Sequence, residues 1–211
     1  RMMHLFNTRM ANGILYELDM RLRPSGNAGL LMVHIDTFAH YQNSDAWTWE
    51  HQALVRTRII YGHDALALRF KEIKREVLMR KRDKALLLED VIKMRDKMRL
   101  HLDKSTSAEV DIKQGLGGLV DIEFLVQYLV LAYSAEHPKL SDYSDNINLL
   151  EYLASIDVIT VQQQQALVDN YCKLRDFSHQ ATLQNSPAMI PEAEFSAQHS
   201  QVMNIVKSLL H

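Results

Sequence analysis

The stretch from Ile122 to Ser134 places the strongest constraint on the fold, because it is apolar on nearly all sides at helical spacing. A helix of this kind must be surrounded by other elements of the protein. The longest apolar run, Phe124 to Tyr133, contains Gln127 and is about half as long as a membrane span needs to be. The sequence therefore predicts a mainly α fold in which this helix is the centre of a bundle.

Capping residues and apolar periodicity predict further helices around this centre. Thr160 and Gln163 have the spacing of a capping box, which stabilises the start of a helix. Residues 80–84 form a basic connector whose side chains we expect to be solvated, and no segment after residue 64 is predicted to be a strand. The predicted helices run from Asp64 to Arg80, from Lys84 to Leu102, from a cap at Ser144 or Asp145 to Ile156, from Thr160 to Gln184, and from Glu192 to Leu210.

Residues 14–26 have the two-residue alternation of a β-strand with one apolar and one charged face. Pro24 ends the strand, and residues 30–35 form a second apolar run that could pair back as a hairpin. Two interpretations of the charged face remain open. It could be the solvated side of an antiparallel sheet, or the floor of a cleft where a carboxylate binds a metal and arginines neutralise phosphate. The charged residues are Glu17, Asp19, Arg21 and Arg23.

A further helix is predicted from Ala46 to about Tyr61, where Gly62 ends it. Arg56 and Arg58 lie near its end, and their spacing does not require them to share a face. From the residues alone, the pattern favours a half-buried helix with solvated arginines.

Residues 111–124 contain a glycine-rich loop that leads into the central helix, and free amides at such a point favour anions. No Gly-Lys-Ser/Thr follows, so a Walker loop is excluded. The density of Gly115, Gly117 and Gly118 implies positive φ angles or close backbone approach. Lys113 could reach a phosphate. Two further residues, Asp121 and Glu123, could bind a ribose hydroxyl, a cation or a neighbouring arginine, or could only offset the helix dipole.

Composition limits the remaining function classes. The formal net charge of -2 gives no global field for nucleic acid or an acidic membrane, so any phosphate site must be local. The single cysteine, Cys172, excludes an intrachain disulfide and fits a reducing, cytoplasmic location. No histidine pair has metal-binding spacing on one helix face. We also expect the chain to be part of a longer protein, because a sheet needs more strands than this hairpin supplies.

Three motifs in this order and spacing resemble the bacterial glutamine-synthetase adenylyltransferases, and more specifically their C-terminal, adenylylating half. The resemblance implies that residues 1–62 are the C-terminal part of an incomplete nucleotidyltransferase domain like that of DNA polymerase β, and that residues 63–211 are a helical bundle domain. It also implies transfer of AMP from ATP to a tyrosine hydroxyl of glutamine synthetase, with Mg²⁺, under control of a PII signalling protein and glutamine. The motifs are Tyr16 to Gly26, Trp47 to Arg58 and Asp111 to Phe124.

The same resemblance implies roles for individual residues. Asp19 matches the third metal-binding carboxylate of the family, which makes it the expected catalytic residue and Mg²⁺ ligand. It implies that Asp19 and the glycine-rich loop line one nucleotide pocket beneath the bundle. The expected nucleotide-binding residues are Arg21, Arg23, Ser25, Gly26, Arg56, Arg58, Lys113, Gly115, Gly117, Gly118, Asp121 and Glu123.

The sequence departs from the family pattern at one important place. The Gly-Ser-x-x-Asp-x-Asp motif, which supplies the other two carboxylates, does not occur in it. We therefore expect this chain alone to bind magnesium poorly and to be inactive or slow. Two alternatives remain: a helical regulatory module that docks glutamine synthetase or PII, and the deadenylylating half of the same enzyme.

Overall fold

The computed structural model describes residues 4, 6, 8–11, 13, 24–26 and 29–210. The chain divides into two compact units, residues 1–46 and 47–211. The predicted strand before Pro24, residues 14–23, lies outside the described residues, and it contains Asp19, Arg21 and Arg23. Residues 47–62, which the resemblance assigns to a nucleotidyltransferase domain, lie within the second compact unit. The domain assignment itself stays a prediction.

The first unit contains helix α1, Ile35–Ser44. His34 precedes it, and its Nδ1 accepts a hydrogen bond from the Asp36 amide at 3.3 Å. The prediction that residues 30–35 form a strand is wrong, because Ile35 already begins this helix and residues 30–34 are irregular. Leu30 and Met32 are 74% and 88% exposed, so neither side chain packs into a core among the described residues.

The second unit is a helical bundle, which confirms the predicted fold class. Its helices are α2 (Thr48–Val55), α3 (Asp64–Leu78), α4 (Lys84–Leu102), α5 (Leu119–Tyr133), α6 (Asn146–Ser155), α7 (Val161–Leu183) and α8 (Glu192–Leu209), with a short 3-10 helix at Pro138–Ser141. No helix among the described residues is both long enough and apolar enough to cross a membrane.

Helix α5 lies at the centre of this bundle, as its all-round apolar sequence predicts. Ile122, Val126 and Val130 have no exposed surface. Helices α2, α4, α6, α7 and α8 all contact α5. Because apolar side chains on every face are covered, burial of this helix supplies much of the driving force for folding.

Predicted caps are present at Asp145 and Thr160, whereas the Asp83 cap of α4 was not predicted. Asp83 accepts hydrogen bonds from the Ala85 and Leu86 amides at 2.9 and 3.1 Å and starts α4. Thr160 and Gln163 form the predicted capping box at the start of α7. Local chemistry therefore determined these helix starts.

Two short strands are a feature that the sequence did not predict. β1 (Glu109–Asp111) pairs antiparallel with β2 (Met189–Pro191), with Val110 opposite Ile190. The prediction of no strand after residue 64 is therefore wrong. Three residues are too few to show a period of two, and each strand exists because the other, far along the chain, is placed beside it. The pair attaches the start of α8 to the segment that leads into the glycine-rich loop.

Two helix ends are stabilised by cations, one buried and one partly buried. Helix α2 ends at Val55 instead of near Tyr61, and the Lys74 ammonium donates to the carbonyl oxygens of Val55 and Thr57 at 3.0 and 2.9 Å. In the connector after α3, the Arg82 guanidinium donates to the carbonyls of residues 77, 78 and 80. The prediction of a solvated connector is therefore wrong for Arg82, which satisfies carbonyls that a helix end leaves free.

Candidate functional site

Helix α2 carries the second sequence motif and is held by polar contacts on several sides. The Thr48 hydroxyl donates to the Asp90 carboxylate on α4 at 2.7 Å. The Gln52 amide nitrogen donates to the Gln127 side-chain oxygen on α5 at 3.3 Å, where both side chains are buried. Within the motif, the Glu50 carboxylate accepts a hydrogen bond from the Trp47 amide at 3.0 Å. These contacts fix the direction in which the residues after α2 leave the helix.

An ion pair joins the second motif to the third. The Arg56 guanidinium, directly after α2, contacts the Glu123 carboxylate in the first turns of α5. Both side chains are only partly exposed. Of the partners open to Glu123 from the sequence, the structure shows a neighbouring arginine, and it brings together two residues that the resemblance assigns to one pocket.

The backbone amides of the glycine-rich loop donate hydrogen bonds inside the loop itself. The Lys113 and Gln114 amides donate to the Asp111 carboxylate at 2.9 and 3.1 Å. The Gly115 amide donates to the Asp111 carbonyl at 2.7 Å, and the Gly117 amide donates to the Asp121 carboxylate at 2.6 Å. An anion at this loop would therefore have to be bound by other donors, such as the Lys113 ammonium. Nucleotide binding by the loop stays a prediction.

The glycines are required by backbone conformation and close approach, as their density indicates. Gly117 has a φ of +70°, and a Cβ there would lie 2.9 Å from the His199 Cα on α8. At Gly115 and Gly118, a Cβ would lie 2.6 and 2.7 Å from the backbone oxygens of Asp111 and Ile112. Real Cβ atoms do not approach other heavy atoms this closely, so side chains are excluded at all three positions. The glycines let the loop turn tightly beneath α8.

Asp121 is buried at the end of this loop and is neutralised by two arginines from α4. Its Oδ1 accepts from Arg95 Nε at 2.6 Å and from Arg99 Nη2 at 2.9 Å. Arg95 also donates to the Gln114 carbonyl at 2.8 Å. We refer to Asp121, Arg95, Arg99, Gln114 and Gly117 as the Asp121 cluster. A buried carboxylate needs such partners, because an unpaired charge in a protein interior is costly.

The sequence analysis missed Arg95 and Arg99. The available signal was that Arg95 lies one turn after the buried Val91, on a face where a charge requires a buried partner. The sequence allowed Asp121 to bind a ribose hydroxyl, a cation or a neighbouring arginine, and the structure shows two neighbouring arginines.

An open cleft lies on another side of the bundle, between α3, residues 57–59 and residues 141–144. Its volume is about 690 Å³. Lys74 lies at its base, almost fully buried, and burial lowers the pKa of the Lys74 ammonium to about 8, partly opposed by the charge of Asp142. We refer to this feature as the Lys74 cleft. Its lining residues are Thr57, Arg58, Ile59, Ala67, Leu68, Phe70, Lys71, Glu72, Lys74, Arg75, Ser141, Asp142 and Ser144.

The structure thus separates the two arginines of the second motif. Arg56 pairs with Glu123, whereas Arg58 lines the Lys74 cleft. The change of direction follows from the end of α2 at Val55, after which neighbouring side chains no longer follow helical spacing.

The remaining predicted site residues belong to the first unit. Ser25 has a φ of +60° and its amide donates to the Tyr41 hydroxyl at 3.0 Å, and Gly26 has a φ of +52°. Both lie in the turn that the sequence predicts after Pro24. The roles of Ser25 and Gly26, and those of Asp19, Arg21 and Arg23 outside the described residues, stay predictions. In the part of the chain that the structure describes, no three His, Cys, Asp or Glu side chains are grouped to hold a metal ion.

Comparisons with known proteins cover the whole chain. The family model described as glutamate-ammonia ligase adenylyltransferase matches residues 1–73, and the one described as GlnD PII-uridylyltransferase matches residues 85–188. Relatives from Shewanella loihica and Shewanella oneidensis are 47% and 46% identical over 100% of this chain. Each is named bifunctional glutamine synthetase adenylyltransferase/adenylyl-removing enzyme. The chain spans 22% of the length of each relative.

Proposed function

We propose that this chain, which is homologous over its whole length to part of the bifunctional glutamine synthetase adenylyltransferase/adenylyl-removing enzymes, is a segment of an enzyme that transfers AMP from ATP to a tyrosine hydroxyl of glutamine synthetase. In this proposal the enzyme regulates nitrogen assimilation in the cytoplasm under control of a PII protein. The observation that carries it is identity of 46–47% along the entire chain.

The structure supports a narrower part of this proposal. The Arg56–Glu123 ion pair connects the second and third motifs, which lie far apart in the sequence. Loop residues 112–118 are fixed from below by Asp121 and from above by α8, so that Lys113 is presented on a rigid support. A rigid support is what a substrate-binding wall requires. We assign Lys113, Arg56 and Glu123 to that wall, with Arg56 and Glu123 orienting each other.

In this proposal, Asp19 is the only residue of the chain that is assigned as a Mg²⁺ ligand. The described residues offer no group of carboxylates for it, so we derive no reaction step from it. When bound, Mg²⁺ would supply charge neutralisation at the phosphates of ATP. Because the Gly-Ser-x-x-Asp-x-Asp motif does not occur in this sequence, we propose that the chain alone transfers AMP slowly or not at all.

The test uses the longer parent enzyme with single substitutions in this segment. Asp19→Asn should lower AMP transfer to glutamine synthetase at least about a hundredfold, because a metal-binding carboxylate acts on the transition state. Glu17→Gln is the matched control, since Glu17 has the same charge on the same predicted face, and it should leave the rate within about threefold of that of the unmodified enzyme. Equal effects of the two substitutions would contradict the role of Asp19.

The names of the relatives include both adenylylation and adenylyl removal, so the choice between the two halves needs its own experiment. We place this segment in the adenylylating half, on the pattern Trp47-Thr-Trp-Glu-His51. Asp19→Asn in the parent enzyme should then leave phosphorolysis of adenylylated glutamine synthetase intact. Loss of phosphorolysis with retained AMP transfer would assign the segment to the deadenylylating half.

A further inference from the structure

The Lys74 cleft has the features of a ligand site. Its volume of about 690 Å³ is within the range of small-molecule pockets in proteins, which is roughly 300–1,000 Å³. One wall is apolar and contains Ile59 and Leu68. Leu68 is 61% exposed although it is a large apolar residue on an ordered helix. The cleft therefore offers an apolar surface that no described part of the second unit covers.

The charge at the base of the cleft is incompletely paired. The Lys74 ammonium has three N–H donors, and two of them are used by the carbonyls of Val55 and Thr57. Arg75 forms a distant pair with Asp142 at 3.7 Å. The Arg58 and Lys71 side chains make no hydrogen bond or ion pair with other described residues.

The sum of the lining charges is positive. The cations Arg58, Lys71, Lys74 and Arg75 outnumber the carboxylates Glu72 and Asp142. A concave surface with apolar walls and an excess of cations attracts a negatively charged ligand and holds its apolar part.

We infer that the Lys74 cleft binds a small organic acid. Its phosphate or carboxylate group is received by the third N–H of Lys74 and by Arg58 and Lys71 at the mouth. Its apolar part lies against Ile59 and Leu68. Charge-assisted hydrogen bonds to a buried ammonium are the strongest polar contacts that such a site can supply. This inference does not depend on the proposed enzymatic activity.

The inference carries a pH dependence through Lys74, whose ammonium lies at the base of the cleft. The groups that face it are Arg58 after α2, Lys71, Glu72 and Arg75 on α3, and Asp142 after the 3-10 helix. Because burial lowers the pKa of Lys74 to about 8, binding should weaken as pH rises through that value.

The test is an NMR titration of the full 211-residue chain, labelled with ¹⁵N. The probes are phenyl phosphate, phenylacetate, inorganic phosphate and neutral benzyl alcohol. Phenyl phosphate or phenylacetate should shift amide resonances of residues 57–59, 67–75 and 141–144 at millimolar concentration. The two acids should bind at least about fivefold more tightly than benzyl alcohol, because charge and apolar contact act together. A preference for phenyl phosphate or for phenylacetate identifies the acidic group.

Variants localise the site. Arg58→Gln and Lys71→Gln should each weaken binding about two- to fivefold, as expected for partly exposed charges. Lys97→Gln is the matched control, because Lys97 is an exposed lysine on α4 without a partner among the described residues, and it should leave binding unchanged. For phenylacetate, whose charge is constant above about pH 6, the affinity should fall between pH 7 and pH 9.

Any one of the following three results would overturn the inference. Neither acid binds at millimolar concentration, the resonances that shift lie elsewhere, or Lys71→Gln and Lys97→Gln have equal effects. None of these measurements uses ATP or glutamine synthetase, so their failure is distinguishable from failure of the proposed AMP transfer.

Discussion

The Asp121 cluster and the Lys74 cleft both place a buried charge beneath the bundle surface, but they treat that charge differently. Asp121 receives hydrogen bonds from two arginines and a backbone amide, and its side chain is 4% exposed. Lys74 is equally buried, yet its cavity is open and its neighbours Arg58 and Lys71 have no partners among the described residues. A closed charge cluster stabilises a fold, whereas cations beside an open cavity remain available to a ligand.

The largest effect is expected when the charge at the centre of the Asp121 cluster is removed. Asp121→Ala leaves Arg95 buried without its carboxylate and frees the Gly117 amide, so it should lower the free energy of unfolding by about 3–5 kcal/mol. Urea denaturation followed by circular dichroism measures the change.

The matched control for that substitution is Asp96→Ala. Asp96 pairs with the same Arg99 but is mostly exposed, so its loss should cost at most about 0.5 kcal/mol. Similar losses at the two positions would show that burial does not distinguish the two aspartates.

A second test concerns the loop that Asp121 supports. Gly117→Ala should lower the free energy of unfolding by about 1–3 kcal/mol, because it adds backbone strain at a φ of +70° and a contact of 2.9 Å with the His199 Cα. Gly62→Ala is the comparison, since Gly62 has a φ of +159° but open space around its Cβ position. An equal cost for both would assign the effect to backbone conformation alone. Thermal unfolding of both variants decides between the two causes.

A third test asks whether burial of the charged Lys74 ammonium lowers the stability of the fold. Its pKa is about 8 in the folded chain and 10.5 without burial. Between these two pH values, Lys74 binds more protons in the unfolded chain than in the folded chain. The contribution of Lys74 to the free energy of unfolding therefore rises with pH. Wild-type stability relative to that of Lys74→Met should therefore increase from pH 8 to pH 10.5. A flat difference in urea denaturation across that window would show that Lys74 is not desolvated.

The smallest effect is expected at the Arg56–Glu123 pair, which lies between the two regions. Both side chains are partly exposed, so a double-mutant cycle of Arg56→Ala and Glu123→Ala should give a coupling energy of about 0.2–1 kcal/mol. Added salt should reduce it. A coupling energy as large as the loss expected for Asp121→Ala would show that the Arg56–Glu123 pair behaves as a buried ion pair.

Much of the fold could be predicted because its signals are local. The Thr160–Gln163 capping box and the Asp145 cap fix helix starts through contacts within three residues. The apolar sequence of α5 required a surrounding bundle whatever the connections were. The short strands β1 and β2 gave no such signal, because each is paired with residues about 80 positions away.

The candidate site was predictable only in part. The density of glycine in the third motif correctly indicated positive φ and close backbone approach at Gly117. Arg95, Lys74 and Arg82 were missed, because basic residues on helices and in connectors are usually solvated. Their partners come from other elements or from a helix end. Lys74 lies one turn after Phe70 and one before Leu78, which was the available signal that it faces inward.

By itself, the sequence determined a mainly α chain, most of its helix starts and the resemblance of its three motifs, since caps, periodicity and motif spacing are properties of neighbouring residues. Only the tertiary structure decided the partners of the charged side chains: that Asp121 is closed off by Arg95 and Arg99, that Glu123 pairs with Arg56, and that Lys74 lies beneath an open cavity. Burial and pairing depend on which distant segments pack together, and no local pattern in the sequence records that choice.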